Sequence, residues 1–262
     1  MVALRLEVDE RVVRLREPLP ASWGQLTQRT LFLVRLCGAD GVAGRGEAAP
    51  LQAYDGVPDA VCRDALCGLG VALGEIDDDA PGHVVMDALA RTTECGPALA
   101  AVDMALWDRG GRRLGRPVAE LLADDALPAV VVHRTIGGVA PEQAGALARR
   151  AAAEGFSAFK VKVGLRASSG EAADVAGDVA RVAAVRRAAG AAARIKVDAN
   201  GGWSVEEATE AIARLTAPPL SVAAVEEAVS GGEAWVQLRS ALQAIGIAVE
   251  LAMDETADRE PA

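Results

Sequence analysis

Two hydrophobic patterns follow one another along the chain. In the first 125 residues, alternating apolar and polar positions predict strands, and apolar positions at helical spacing predict helices. The predicted strands are residues 3–16, 28–36 and 42–47, and the predicted helices are residues 58–75, 97–109 and 117–122. The strands precede the helices instead of alternating with them, so residues 1–125 are predicted to form an α+β domain.

From residue 126 the pattern changes to short apolar strands that alternate with helices. The strands are predicted at residues 129–133, 159–163, 196–200, 220–226 and 247–253, and the helices at residues 141–155, 171–189, 204–215 and 232–244. The helix at 171–189 has Val175, Val179, Val182 and Arg186 at helical spacing. Strand/helix alternation predicts a parallel sheet with right-handed crossovers. Residues 126–262 are therefore predicted to form part of a (β/α) barrel, with about five strands.

Charged residues lie at the carboxyl ends of these strands at regular intervals along the sequence. Lys160 and Lys162 are two positions apart on one predicted strand, so both ammonium groups point to the same face. Asp198, Glu226 and Asp254 follow the next three strands at steps of 28 residues, 226 − 198 and 254 − 226. Such barrels hold their catalytic groups at the carboxyl ends of the strands. The pattern therefore predicts one site that combines two lysines with three carboxylates.

This combination of groups suggests a specific chemistry. Carboxylates without histidine or cysteine suit Mg²⁺ or Mn²⁺. Such an ion can hold a substrate carboxylate and stabilise the charge that develops when the adjacent C–H bond breaks. A lysine then removes the proton, and we expect the second ammonium group and the metal ion to lower the pKa of that lysine. The alternative, that each acid is a solvated loop residue, explains neither the equal spacing nor the lysine pair.

Composition restricts the partners. The 262 residues carry a formal net charge of −10, which argues against binding to nucleic acid or to an anionic membrane surface. Hydrophobic residues make up 51% of the chain, but no apolar run is long enough to span a bilayer, and the N-terminus lacks the apolar core of a signal peptide. The four cysteines have no metal-binding spacing, so we interpret them as reduced thiols of a cytoplasmic protein. Homo-oligomerisation stays open.

Two predicted loops in the N-terminal domain each carry an aromatic residue. Trp23 lies in the loop at 18–24 and Tyr54 in the loop at 48–56. Each ring either packs within its own loop or helps to cover a substrate. We place both residues among the candidate substrate-binding groups.

Four further segments form a set of recognisable motifs: residues 44–50 (Gly-Arg-Gly-Glu-Ala-Ala-Pro), 101–108 (Ala-Val-Asp-Met-Ala-Leu-Trp-Asp), 160–162 (Lys-Val-Lys) and 197–203 (Val-Asp-Ala-Asn-Gly-Gly-Trp). They resemble, in order, the capping-domain strand, the helix before the barrel, the second-strand lysine motif and the third-strand metal motif of the enolase superfamily. The resemblance is to the branch of muconate lactonizing enzyme, o-succinylbenzoate synthase and dipeptide epimerases. The last two motifs are specific only in combination.

The resemblance implies a role for each candidate residue. The implied fold is an α+β capping domain followed by a TIM-type barrel. The implied metal ligands, for Mg²⁺ or Mn²⁺, are Asp198, Glu226 and Asp254. Lys162 would be the general base, and Lys160 would orient or stabilise the carboxylate of a small-molecule substrate. Asn200, within the third-strand motif, joins the substrate-binding candidates.

The sequence departs from the family pattern at two places. Glu226 and Glu227 are followed by Ala228, where the family usually has proline. The family also carries another catalytic lysine on the sixth barrel strand, whereas this sequence ends at Ala262, soon after Asp254. Only 262 − 128 = 134 residues follow residue 128, against about 250 in a complete barrel. The barrel is therefore expected to be incomplete.

Three functions are compatible with these features. The first is a metal-dependent lyase that enolises a carboxylate, similar to o-succinylbenzoate synthase, because dehydration needs only one lysine as base. The second is a dipeptide epimerase or N-acylamino acid racemase, for which two-base chemistry requires a lysine on each face of the substrate. The third is a non-catalytic protein, either a truncated remnant or an interaction partner that uses the capping domain.

Overall fold

The computed structural model describes residues 3–21, 24–166 and 172–259. The chain divides into two units: one contains the chain up to Arg16 together with Thr27–Val130, and the other contains Glu17–Leu26 and the chain from Val131 onward. Each unit has its own cluster of buried apolar side chains. None of the described helices combines the length and the apolar character needed to cross a bilayer.

The N-terminal strands form a three-stranded sheet. Its order is β1 (Arg5–Ala21), β2 (Gly24–Cys37) and β3 (Ala43–Ala48), with β2 and β3 antiparallel. Alternation along β2 places Phe32, Val34 and Leu36 in the core of the first unit. The helices that follow are α1 (Gln52–Asp55), α2 (Asp59–Leu73), α3 (Gly82–Leu89), α4 (Gly96–Leu114) and α5 (Val118–Leu122).

Two glycines in β3 let the strand lie directly against α4. A Cβ atom on Gly44 would lie 1.9 Å from the carbonyl oxygen of Ala105, and one on Gly46 would lie 1.9 Å from that of Ala101. Only glycine fits at such a separation, and the alanines on α4 keep the helix surface low. The glycines of the motif at residues 44–50 therefore serve helix–strand packing.

The second unit alternates strands with helices and forms one parallel sheet. The strands are β4 (Arg134–Ile136), β5 (Ala158–Lys162), β6 (Arg194–Asp198), β7 (Ala224–Glu226) and β8 (Glu250–Ala252), in that spatial order. The helices are α6 (Pro141–Ala153), α7 (Val175–Ala189), α8 (Val205–Thr216), α9 (Gly232–Ala244) and α10 (Glu255–Arg259). The predicted architecture, an α+β part followed by five strands of a β/α barrel, is confirmed.

Local signals explain where several of these helices begin. Pro141 starts α6, as a residue whose missing N–H costs nothing in the first turn. The Asp174 side chain caps α7 by accepting a hydrogen bond from Gly177 N. Ser204 and Glu207 form a capping box at the start of α8. Alternation in the strands then buries Val161, Val197 and Val225 in the core of the second unit.

Three predicted boundaries are wrong. The first barrel strand is not residues 129–133 but β4, and Val130 and Val131 are 74% and 76% exposed. The reason is that β4 is an edge of the described sheet, so an apolar run beside it has no second strand to bury it. Residues 18–21, predicted as loop, continue β1, and the hydrophobic pattern predicted no helix at residues 82–89, where α3 lies.

Candidate active site

Charged side chains from three neighbouring strands meet on one face of the parallel sheet. The register places Lys162 beside Asp198 and Asp198 beside Glu226, because all three strands run in the same direction. Lys160 Nζ lies 2.7 Å from Asp198 Oδ2 and 2.6 Å from Glu226 Oε1. Lys162 Nζ lies 2.6 Å from the same Asp198 oxygen. The structure thus brings together four of the five residues predicted as catalytic lysines and metal ligands.

The carboxylates of this cluster are buried and the lysines are nearly so. Asp198 is fully buried, and Glu226 is 6% exposed. Burial opposes ionisation of Glu226, but hydrogen bonds and charge from Lys160 and Lys196 outweigh it and lower the pKa of Glu226 to about 2. Burial alone would lower the pKa of Lys160, yet the charges of Asp198 and Glu226 raise it. The neighbouring carboxylates therefore favour the charged form of Lys160. The lowered pKa expected of the base lysine beside a metal ion stays a prediction.

Lys196 is a member of the site that the sequence interpretation missed. Its ammonium group forms an ion pair with Glu226 Oε2, so each Glu226 oxygen is held by a different lysine. The signal was available, because Lys196 lies two positions before Asp198 on one strand and therefore shares its face. The whole sequence contains three lysines against 27 − 3 = 24 arginines, and all three lysines lie in this cluster. Lysine is thus confined to the site in a chain that otherwise uses arginine.

Asn200 connects Lys162 to a second buried acid. Lys162 Nζ donates to Asn200 Oδ1 at 2.6 Å, and Asn200 Nδ2 donates to Glu255 Oε1 at 2.8 Å. Asn200 adopts a left-handed backbone with φ of 45°, which asparagine tolerates better than most residues. Burial raises the pKa of the Glu255 carboxyl, and its Oε2 is buried without a hydrogen-bond partner. Glu255 was not among the predicted site residues, although it directly follows Asp254.

Asp254 is held through its backbone. Glu227, which is buried, accepts hydrogen bonds from Asp254 N at 2.7 Å and from Thr256 N at 3.0 Å. Among the described residues, the only group of three or more acidic, histidine or cysteine side chains with ligand atoms within 4.8 Å of one another is Asp77, Asp78 and Asp79. The carboxylates of Asp198, Glu226 and Asp254 do not form such a group here, and their joint role as ligands stays a prediction.

Comparisons with known proteins place the chain in a family. Residues 4–123 match the N-terminal domain of mandelate racemase / muconate lactonizing enzyme, and residues 143–260 match the enolase C-terminal domain-like family. A crystal structure from Sorangium cellulosum, described as a mandelate racemase/muconate lactonizing enzyme, is 32% identical with a TM-score of 0.80; the match covers 98% of this chain and 68% of that one. The chain belongs to the mandelate racemase/muconate lactonizing enzyme family. The resemblance to the enolase superfamily is thereby confirmed.

Two further relatives of the family are epimerases from Cytophaga hutchinsonii. The D-Ala-D/L-Ala epimerase is 30% identical over 234 residues, which are 88% of this chain and 60% of the epimerase. The crystal structure of a dipeptide epimerase complexed with Mg and the dipeptide D-Ala-L-Val is 26% identical, with a TM-score of 0.83, and the match covers 98% of this chain and 66% of that one. The chain spans about 60% of the length of the curated relatives it matches first.

The oxygen atoms at the carboxyl ends of the strands in the second unit suit a hard divalent cation. Asp198, Glu226 and Asp254 offer carboxylate oxygens, and the nearby buried Glu255 adds an oxygen without a partner. Mg²⁺ and Mn²⁺ prefer oxygen ligands of this kind. By contrast, the acidic group at Asp77–Asp79 is explained by ion pairs within the first unit, since Asp79 contacts Arg113 at 2.8 Å and Asp78 contacts Arg109 at 3.6 Å.

The two aromatic candidates are not tested by these contacts. Tyr54 is half-buried on α1 in the first unit. Trp23 lies outside the described residues. Their assignment to substrate binding therefore stays a prediction.

Proposed function

We propose that this protein abstracts the proton α to the carboxylate of a dipeptide or N-acylamino acid, with the help of a divalent metal ion. The observation that carries the proposal is the cluster at the strand ends, where Lys160 and Lys162 both contact the buried carboxylate of Asp198. The substrate class is supported by the epimerases to which the chain is similar. Because the chain spans only part of those relatives, the proposal concerns the proton transfer that its own residues can perform.

Each residue of the cluster has a distinct part in this chemistry. Asp198, Glu226 and Asp254 would hold Mg²⁺, which supplies positive charge beside the substrate carboxylate when bound. Lys162 takes the α-proton, and its hydrogen bond to Asn200 fixes where the amine points. Lys160 now forms ion pairs with Asp198 and Glu226. With these two carboxylates on a metal ion, its ammonium group would be available to the substrate carboxylate.

Dehydration of the o-succinylbenzoate synthase type is a second candidate. It is favoured by the placement of all three lysines on β5 and β6, which gives bases on one side of a substrate. A base on one side suffices for dehydration. With a dipeptide as substrate, the same base exchanges the α-proton without inverting the configuration of the α-carbon. The two candidate functions therefore differ in their products, an isotopically exchanged dipeptide or a dehydrated acid.

The metal site is tested by thermal melting. Millimolar Mg²⁺ or Mn²⁺ is expected to raise the Tm, because a ligand that binds only the native state stabilises it by about 2.7 kcal/mol at 100 times its Kd. Asp198→Asn is expected to abolish this shift. Glu210→Gln, which changes an exposed carboxylate on α8, is the matched control and is expected to leave it intact. If the folded wild-type chain has the same Tm with and without each metal ion, the proposed metal site is wrong.

The base is tested by exchange in deuterium oxide. The metal-loaded chain is expected to exchange the α-proton of a dipeptide such as an alanyl dipeptide, and Lys162→Met is expected to stop the exchange, because it removes the proposed base. The metal-induced shift in Tm should survive this substitution, since Lys162 is not a ligand. Exchange that persists in Lys162→Met would exclude Lys162 as the base. Loss of water from a hydroxy acid without dipeptide exchange would favour the dehydration candidate.

A further inference from the structure

A buried ion pair on α7 contacts the main chain on both sides of Val163. Asp178 is 1% exposed and accepts hydrogen bonds from Gly164 N at 2.9 Å and from the Arg181 guanidinium at 2.7 Å. The same guanidinium nitrogen of Arg181 lies 3.4 Å from the carbonyl oxygen of Lys162. The two side chains thus bind the backbone directly at Lys162 and two residues beyond it.

The same ion pair reaches the loops that follow the two neighbouring strands. Asp178 accepts from Trp203 Nε1 at 3.0 Å, in the loop after β6. Arg181 Nε donates to the carbonyl oxygen of Val139 at 2.6 Å, in the loop after β4. Three consecutive strand ends are therefore fixed to one helix through two polar side chains.

The backbone at residues 162–164 lies directly against the backbone at Asp198 and Ala199. Val163 N donates to the carbonyl oxygen of Asp198 at 2.9 Å. Gly164 has a left-handed φ of 69°, and a Cβ there would lie 3.0 Å from the carbonyl oxygen of Ala199. The two strand ends are in close contact, so the segment has little room to move independently.

Stability alone does not account for this pair. Moving two charges out of water costs several kcal/mol per ion, and apolar replacements of buried ion pairs are often neutral or stabilising. What an apolar pair cannot do is bind N–H and C=O groups of three loops at fixed positions. We propose that Asp178 and Arg181 are positioning residues that hold Lys162 against Asp198 and Asn200. The placement of Lys162 is shown by the structure, and its use as a base rests on the proposed function.

The sequence offers a direct test, because an amine-directed acylating reagent has only three lysines to modify. Mass spectrometry then gives a separate rate for Lys160, Lys162 and Lys196. In Asp178→Asn and in Arg181→Met, the rate for Lys162 is expected to rise at least about fivefold relative to the other two. The control is Arg187→Met, which changes an exposed arginine on the same helix and is expected to leave all three rates unchanged.

The ratio of rates separates positioning from a merely structural role. General loosening of the sheet would raise all three rates together, and that result in folded variants would overturn the proposal. If either variant fails to fold, Arg181→Gln loses the guanidinium contacts without adding a fourth lysine, and a rise confined to Lys162 is expected. No such rise in Arg181→Gln would overturn it as well.

A second measurement needs no variant. In the unaltered chain, the Gly164 N–H and Trp203 Nε1–H donated to Asp178 are expected to exchange with deuterium slowly; rapid exchange at both would contradict the proposal. Neither labelling nor hydrogen exchange uses metal or substrate. The positioning role can therefore fail while α-proton exchange succeeds, or hold while it fails.

Discussion

Arg186→Met is expected to lower the free energy of unfolding by about 3 kcal/mol or more, since each buried acceptor left unpaired costs roughly 1–3 kcal/mol. Arg186 lies on α7 and is 8% exposed. Its guanidinium donates to the carbonyl oxygens of Leu220 at 2.7 Å and Ala193 at 2.5 Å, and to that of Gly190 at 3.2 Å. Methionine fills similar space but donates no hydrogen bond, so the carbonyl groups of Leu220 and Ala193 lose the hydrogen bonds that Arg186 donates.

This substitution has a matched control in the next residue. Arg187 lies on the same helix but is exposed, so Arg187→Met removes the same charge without leaving buried acceptors. Thermal melting is expected to show a Tm that falls by about 6–12 °C for Arg186→Met, at roughly 2–4 °C for each kcal/mol, and hardly at all for Arg187→Met. Equal, small shifts for the two variants would contradict the role assigned to the carbonyl contacts.

The same helix shows how far the sequence alone can go. Helical spacing grouped Arg186 with Val175, Val179 and Val182, and Arg186 is indeed buried. That periodicity says which residues share a face, because 3.6 residues per turn is a property of any helix. It does not say which carbonyl groups an arginine will meet, since these lie in loops outside the helix, such as Leu220, 34 residues away along the chain. The contacts of Asp178 and Arg181 escaped prediction for the same reason.

The contacts of the candidate site are likewise of two kinds, those that regular geometry predicts and those that it does not. Alternation along one strand brought Lys160 and Lys162 together, and equal steps between parallel strands placed Asp198 and Glu226 beside them. These relations follow from regular geometry and were predictable. The pairing of Lys196 with Glu226 required the strand register, and the link from Asn200 to Glu255 required the path of a loop. Where the outcome depended on side-chain reach or on loop conformation, the sequence pattern was insufficient.

The local hydrophobic pattern also does not show which strands lie next to one another, and this matters for β4 at the edge of the sheet. Apolar positions at 129–133 predicted a strand, but a strand needs a hydrogen-bonding partner on at least one side and cover on its faces. In the described part of the chain, β4 has β5 on one side and no strand on the other. The valines just before it are accordingly exposed, and β8 is the corresponding edge at the other end of the sheet.

In dilute buffer the 262-residue chain is expected to self-associate through this second edge. Beside β8 lies an open groove of about 590 Å³, whose lining combines apolar side chains, among them Val236, Ile247, Val249 and Leu251, with polar ones such as Arg239 and Gln243. Val236 on α9 is 66% exposed. Each Å² of apolar surface removed from water contributes about 25 cal/mol, and the unpaired backbone of an edge strand adds hydrogen bonds to any strand that docks. A second copy of the chain offers the same surface, so contact between copies buries both at once.

Light scattering after gel filtration tests this expectation. The chain is expected to elute as dimers or larger species at micromolar concentration, and Val236→Lys combined with Val249→Lys is expected to shift it toward monomer. Val71→Lys, at a valine on α2 that is 75% exposed in the first unit, is the control for a lysine added elsewhere and should not change the profile. A monomer peak for the unaltered chain, with a cooperative melt and a native near-ultraviolet circular dichroism signal, would show that this edge is stable in water. The groove would then be stable without a second copy of the chain. The free-energy cost of exposing its apolar side chains to water would be smaller than their area implies.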